Sequence, residues 1–242
     1  MTHIIPNWPA PNSIKAFAST RIGGCSKAPY QGLNLGLHVG DDPNVVERNR
    51  QVVEAEANMP SAPVWLNQTH STQVAILQAP TTQILDADGS VTDKPNVVCS
   101  VMTADCLPVL ITNRSGSRVA AVHAGWRGLA GGIVEQALRH FSEDPMVWLG
   151  PAIGPRAFEV GEDVLQAFTC EHSETEQAFK PGNKAGKWWA DMDLITRIRL
   201  KALGITDVYS SNLCTYENAE QFYSYRRDGV TGRQATFIWI EQ

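Results

Sequence analysis

Three side chains in this sequence are competent to hold a metal ion, and no two are neighbours along the chain. Cys106 stands in TADCLPVL, His123 in AVHAGWRG and His70 in NQTHSTQV. Their separations, thirty-six and seventeen residues, are not those of a zinc finger, where paired ligands lie two to five apart. What they share is position: each occupies a turn at the end of a strand-like run, where loops can converge on one face. Two nitrogens and one sulfur suit a catalytic zinc that keeps one position open. The same Cys106 and His123 also make a nucleophile with its base. Taken singly, each is also readable as a core histidine or an inert buried thiol.

Other groups stand close enough in sequence to assist. Asp105 directly precedes Cys106 and is readable as a proton carrier, as a partner that orients a histidine, or as a turn former. Arg127 opens a glycine-rich helix start beside His123. Its guanidinium, with backbone N–H groups from Gly125 onward, would make an anion site. An arginine there is otherwise misplaced against the helix dipole. Arg21, Asn34 and Arg227 complete the candidate substrate and phosphate contacts, with Arg226 of lower weight. There is no GxSxG elbow, Walker A loop, Rossmann glycine fingerprint or HExxH. The zinc deaminase signature H-x-E…P-C-x-x-C is also missing.

These residues need a scaffold of strands and helices. The runs VVCSVMT, LPVLIT and RVAAVHA have strand length and look buried on both faces. Ile14–Thr20, MVWL, ITDVYS and QATFIWIEQ are further strands, the last one central. VWLNQTH and QVAILQA are short extended segments flanking His70. Residues 43–57 predict a helix with Asp42 as cap and Pro43 in its first turn. Ala130, Ile133, Val134, Ala137, Leu138 and Phe141 fall on one apolar helical face. Residues 160–170 and 191–203 predict two more helices, the second capped by Asp191. Residues 1–13 read as an irregular arm, 86–95 as polar turn material and 183–187 as the most mobile loop. GLNLGLHVGDD reads as a loop whose glycines let backbone approach something closely. SYRRDGVTG reads as a turn. The sum is one α/β domain over residues 1–242, with a mixed central sheet flanked by helices.

Composition sets outer limits. The 242 residues are 43% hydrophobic and 19% charged, and the net charge is −5, enough core to fold without disulfides. No basic stripe exists, which argues against a nucleic-acid partner. No apolar run approaches a membrane span. No charged segment precedes an apolar one near Met1, and the five cysteines are scattered and odd in number. Both features make a reducing cytoplasm the expected location.

At STRIGG, GLNLGLHVGDD, QTHSTQV, TADCLPVL, AVHAGWRGLAGGIVE, AIGPRAFEVG and YSYRRDGVTGRQAT the chain resembles the YfiH-type, or laccase-domain, family. The resemblance runs from about Ser19 to the C-terminus. It implies an α/β fold particular to that family and a single zinc on His70, Cys106 and His123. It also implies phosphorolysis of adenosine, inosine, guanosine and methylthioadenosine, with hydrolytic deamination of adenosine. The partners implied are a small nucleoside and phosphate. Two other functions attach to the same family. One is a cell-wall precursor editing hydrolase using Cys106 and His123. The other is a copper-dependent polyphenol oxidase, for which a His₂Cys site can hold one copper. Six histidines in all are too few for a multicopper centre.

Overall fold

A computed structural model of the chain describes residues 3–142 and 144–242. The chain opens with strands β1 (His3–Ile4) and β2 (Ile14–Ser19), then helix α1 (Pro43–Glu56). Four short strands follow: β3 (Leu66–Asn67), β4 (Val74–Ile76), β5 (Leu85–Asp86) and β6 (Gly89–Thr92). The middle supplies β7 (Cys99–Thr103), β8 (Leu107–Asn113) and β9 (Val119–Ala124). Helices α2 (Trp126–Ala130) and α3 (Ile133–Leu138) and strand β10 (Pro145–Leu149) come next. After β11 (Glu159–Gly161) and α4 (Glu162–Thr169) comes the hairpin β12 (Phe179–Pro181)–β13 (Lys187–Ala190). The last elements are α5 (Met192–Ala202), β14 (Val208–Ser210), α6 (Tyr225–Asp228) and β15 (Gln234–Ile240).

The fold is α/β as expected, but the strands divide between sheets instead of forming one. A four-stranded antiparallel sheet has the order β1-β2-β15-β7, and a six-stranded mixed sheet has the order β14-β10-β8-β9-β6-β4. Smaller sheets join β11-β13-β12 and β3-β5. Successive side chains on a strand point to opposite faces, so each long strand feeds two cores. On β8, Val109 and Ile111 face the helices α3, α4 and α5, while Leu110 faces the other sheet. On β15, Ile238 meets that inter-sheet core, while Phe237 and Trp239 face α1. The layers are therefore helix, sheet, sheet, helix. Strands buried on both sides explain the unbroken apolar runs. β15 is central, between β2 and β7.

Four local expectations are corrected. Residues 86–95 are not only a turn: Gly89–Thr92 is a fully buried strand inside the six-stranded sheet. Of its polar side chains, the Thr92 hydroxyl donates to Leu77 O at 2.8 Å, while the buried Ser90 hydroxyl has no hydrogen-bond partner among the described residues. The helix through Ala130 and Phe141 is two short helices, broken at Gly131-Gly132, where Gly132 has φ +88°. The apolar stripe survives the break, since Ile133, Val134, Ala137 and Leu138 are buried. SYRRDGVTG contains a one-turn helix, with the Ser224 hydroxyl capping Arg227 N. The N-terminal arm is not wholly irregular, since Ile4 pairs with Ala18. Residues 183–187, expected as a loop, lie at the tip of the β12–β13 hairpin. The caps Asp42 and Asp191 accept from Asn44 N and Leu194 N as expected.

Candidate metal centre

The site lies at one end of the six-stranded sheet, and strand register assembles it. β8 and β9 pair antiparallel with Leu107 opposite Ala124 and Pro108 opposite His123. That register carries Cys106, one residue before β8, to the same sheet end as His123. β6 pairs with β9 with Gly89 opposite Val122. Asp88 therefore sits directly across from His123. The His123 amide donates to Asp88 O at 2.6 Å, and His123 Nδ1 donates to Asp88 Oδ1 at 2.8 Å.

Asp88, fully buried, is the organising group. Besides His123, its carboxylate accepts from the backbone amides of Thr69 (3.1 Å), His70 (2.9 Å) and Ser71 (2.7 Å), and from the Ser71 hydroxyl (2.7 Å). Three successive amides closing on one carboxylate form a nest. The nest holds His70 in the left-handed region at φ +61°, which a histidine seldom adopts. Burial alone would raise the Asp88 pKa. The bonds from His123 and Ser71 outweigh it and hold the carboxyl below the usual range. One anion thus fixes two of the three expected ligands.

Cys106 is fixed from the other side. The preceding Asp105 has φ +101°, and its carboxylate accepts from Thr215 Oγ1 (2.6 Å), Ser224 Oγ (3.0 Å) and Arg226 N (2.7 Å). Such strain persists only where surrounding bonds over-determine the turn. Gly125 completes the packing: a Cβ there would lie 2.5 Å from His70 Cδ2 and 3.2 Å from Cys106 Sγ.

The three side chains converge. Their ligand atoms lie within 4.8 Å of one another, and Cys106 Sγ is 3.6 Å from His70 Nε2. A tetrahedral zinc, with sulfur at about 2.3 Å and nitrogen at about 2.0 Å, sets such donors about 3.5 Å apart. The donor set therefore fits zinc. Burial pushes the Cys106 thiol up, but adjacent His123, and to a lesser degree His70, bring it down to about 6. Burial pushes His123 down, but the Cys106 thiolate and Asp88 raise it to about 9. Together they form a thiolate–imidazolium pair near neutral pH.

The centre opens into a cleft of about 420 Å³ whose walls include His38, Gln68, Thr103, Tyr225 and Arg233. Gln68 ties the His70 loop to β7 by donating to Met102 O and accepting from Met102 N, both at 2.8 Å. In a second cleft of about 420 Å³, lined by Gly150, Arg156, Leu213 and Cys214 among others, Arg156 pairs with Glu217, Asp193 pairs with Arg197 and Asp191 caps α5. Among the described residues, only the triad groups His, Cys, Asp or Glu as a metal site would.

The remaining candidates are placed elsewhere. Arg127 is exposed and stacks 4.3 Å over Trp126, outside the cleft walls. Arg21 donates to the carbonyls of Ala219 and Gln31. Arg227 donates to the carbonyls of Thr215, Tyr216 and Phe222 and pairs with Asp228. Asn34 is buried and bonds Asp41, Gly36 and the Arg233 amide. Asp88, His38, Tyr225 and Arg233 escaped sequence reasoning. For Asp88 the available signal was an acidic residue in a polar stretch, DADGSVTD, followed by β-branched residues. All five cysteines are free thiols.

Comparison with known proteins agrees with this architecture. A family model described as multi-copper polyphenol oxidoreductase laccase matches residues 15–241. The chain is 48% identical over 240 residues to purine nucleoside phosphorylase YfiH of Escherichia coli, covering 98% of each chain. It is 46% identical over 241 residues to a purine nucleoside phosphorylase of Pseudomonas aeruginosa, again covering 98% of each. A crystal structure from Neisseria meningitidis superposes with TM-score 0.93 at 45% identity over 100% of both chains. YlmD from Geobacillus stearothermophilus superposes with TM-score 0.88 at 30% identity, also over 100% of both.

Proposed function

This chain belongs to the laccase-domain family of YfiH-type proteins, and on that premise we propose that it is a zinc-dependent purine nucleoside phosphorylase. Its proposed substrates are adenosine, inosine, guanosine and methylthioadenosine, with hydrolytic deamination of adenosine as a second activity. The observation that carries the reading is the triad His70, Cys106 and His123, within 4.8 Å, at the floor of an open cleft. Zinc held by these three residues would supply a Lewis acid.

The chain's own residues do the rest. Asp88 holds His123 through Nδ1, so Nε2 is the nitrogen that would hold the metal. Tyr225, 62% exposed at the cleft wall, offers an aromatic face to the purine. In phosphorolysis a phosphate oxygen bonds to C1′ of the ribose as the C1′–N bond breaks. The purine leaves with the bonding pair and takes up a proton. Asp105 as proton carrier is part of the proposal, and the geometry sets its condition. Thr215, Ser224 and the Arg226 amide occupy three of the roughly four lone-pair positions of the carboxylate, leaving one on Oδ1 for a proton.

The test is to incubate zinc-loaded protein with adenosine, with and without phosphate, and to identify the products. Adenine and ribose 1-phosphate should form only with phosphate, and inosine should form without it. Adenosine left intact under both conditions overturns the reading. One observation favours a second reading: the Cys106–His123 thiolate–imidazolium pair is also what a cysteine hydrolase would use. Copper also suits a His₂Cys set. Among the described residues no further group stands ready for the additional ions of a multicopper centre.

A further inference from the structure

A phosphorylase must hold an anion beside its metal. Arg127, the candidate for that task from the sequence, points its guanidinium at its own neighbour Trp126. The one arginine among the residues lining the metal cleft is Arg233, half-buried just before β15. The β7–β15 register sets Gln234 opposite Thr103, so Arg233 follows at the sheet end beside the Ala104–Cys106 turn.

Its bonding is incomplete. Arg233 Nη1 donates to the carbonyls of Thr231 (3.1 Å) and Gly232 (3.0 Å), and its other guanidinium nitrogens have no acceptor among the described residues. The similarly half-buried Arg227 is paired with Asp228, and the fully buried Arg50 and Arg199 with Glu47 and Glu135. Cys106 and Asp105 act on it from a distance, but among the described residues no carboxylate pairs with it directly, and a partly buried cation without a bonded anion is costly. The Thr103 hydroxyl is a second orphan. Thr103 is buried, lines the same cleft, and its Oγ1 has no hydrogen-bond partner. A guanidinium fork and a hydroxyl donor beside a metal centre match the oxygens of a phosphate.

The glycine-rich loop holds this arginine in place. Asn34 Oδ1 accepts from the Arg233 amide (2.9 Å) and from Gly36 N (3.0 Å). A Cβ at Gly36 would lie 2.8 Å from Arg233 Cγ. Gly36 has an ordinary φ of −92°, so what it supplies is space.

We propose that Arg233, assisted by the Thr103 hydroxyl, binds inorganic phosphate in the metal cleft, and that Asn34 and Gly36 are positioning residues for it. The proposal rests on the phosphorylase reading for the identity of the anion. The test titrates inorganic phosphate into the zinc-loaded full chain by phosphorus NMR and follows the phosphate KM and adenosine KM in parallel. Arg233→Gln should weaken phosphate binding about 10- to 100-fold while retaining one zinc per chain and the adenosine KM. Arg233→Lys should recover part of the loss. Gly36→Ala should weaken phosphate with Arg233 intact. Arg127→Gln should leave phosphate affinity within about twofold. The inference falls if Arg233→Gln binds phosphate as wild type does, or if Arg127→Gln shows the larger loss. If phosphate binds through Arg233 but no nucleoside is cleaved, the anion site stands and the phosphorylase reading fails.

Discussion

Asp88→Asn is the sharpest single perturbation of this site, because it removes a charge and an acceptor at almost constant volume. Oδ1 accepts from His70 N and His123 Nδ1, and Oδ2 accepts from Thr69 N, Ser71 N and Ser71 Oγ. An amide has one oxygen. Whichever way it turns, its NH₂ group faces at least two donors. Bonds to a charged acceptor contribute about 1.5–3 kcal/mol each, so the metal-free fold should lose about 3–6 kcal/mol. For a chain of this size that is a fall in Tm of roughly 6–24 °C. If the NH₂ group faces His123, the ring must accept at Nδ1 and carry its proton on Nε2, which removes the lone pair needed by the metal. Zinc affinity should fall about 10- to 100-fold. The sign of the pH dependence follows from the depressed Asp88 pKa. The stabilisation is fully present above the unfolded-state value of about 3.9 and is lost only as pH falls below it. This part of the gap between wild type and variant should therefore narrow in acid; because Asp88 also helps raise His123 to about 9, the gap should narrow again as pH rises from about 6.5 through 9. Calorimetric melting of metal-free protein and zinc competition against a chelator measure both effects. A variant with Tm within 2 °C and zinc affinity within about twofold of wild type would refute this account of Asp88.

Three further outcomes follow from the same geometry. Gly125→Ala would press a methyl group against His70 and Cys106. At about 1–3 kcal/mol of overpacking, zinc should bind roughly 5- to 150-fold more weakly, as read by chelator competition. With Cys106 at about 6 and His123 at about 9, zinc binding near pH 7.5 should displace about one proton from this pair. The count should rise toward two below pH 6, measured calorimetrically in buffers of different ionisation enthalpy. Cys106→Ser replaces thiolate by a poorer donor, so zinc content and activity should fall together and excess zinc should restore part of both. A covalent adduct on wild-type Cys106 that forms and decays at the turnover rate would instead establish the nucleophile reading.

The sequence by itself determined the parts whose signal is local. The long apolar strands, the capped helices α1 and α5 and the central place of β15 were legible because burial on both faces and cap chemistry are written in neighbouring residues. His70, Cys106 and His123 were legible as ligand types at turns. Their convergence was not, because it depends on the register of β8 on β9 and of β9 on β6. Asp88 looked like turn material, since a buried polar strand differs from a turn only in the bonds it makes to distant residues. The break at Gly131-Gly132 was hidden because the apolar stripe continues across it. Arg127 looked like the anion group because it is near His123 in sequence. Arg233, 110 residues from His123, reaches the cleft because β15 pairs with β7 and begins beside the turn carrying Cys106. Spacing along a chain records chemistry within a few residues, whereas a site built where two sheets end is decided by tertiary pairing.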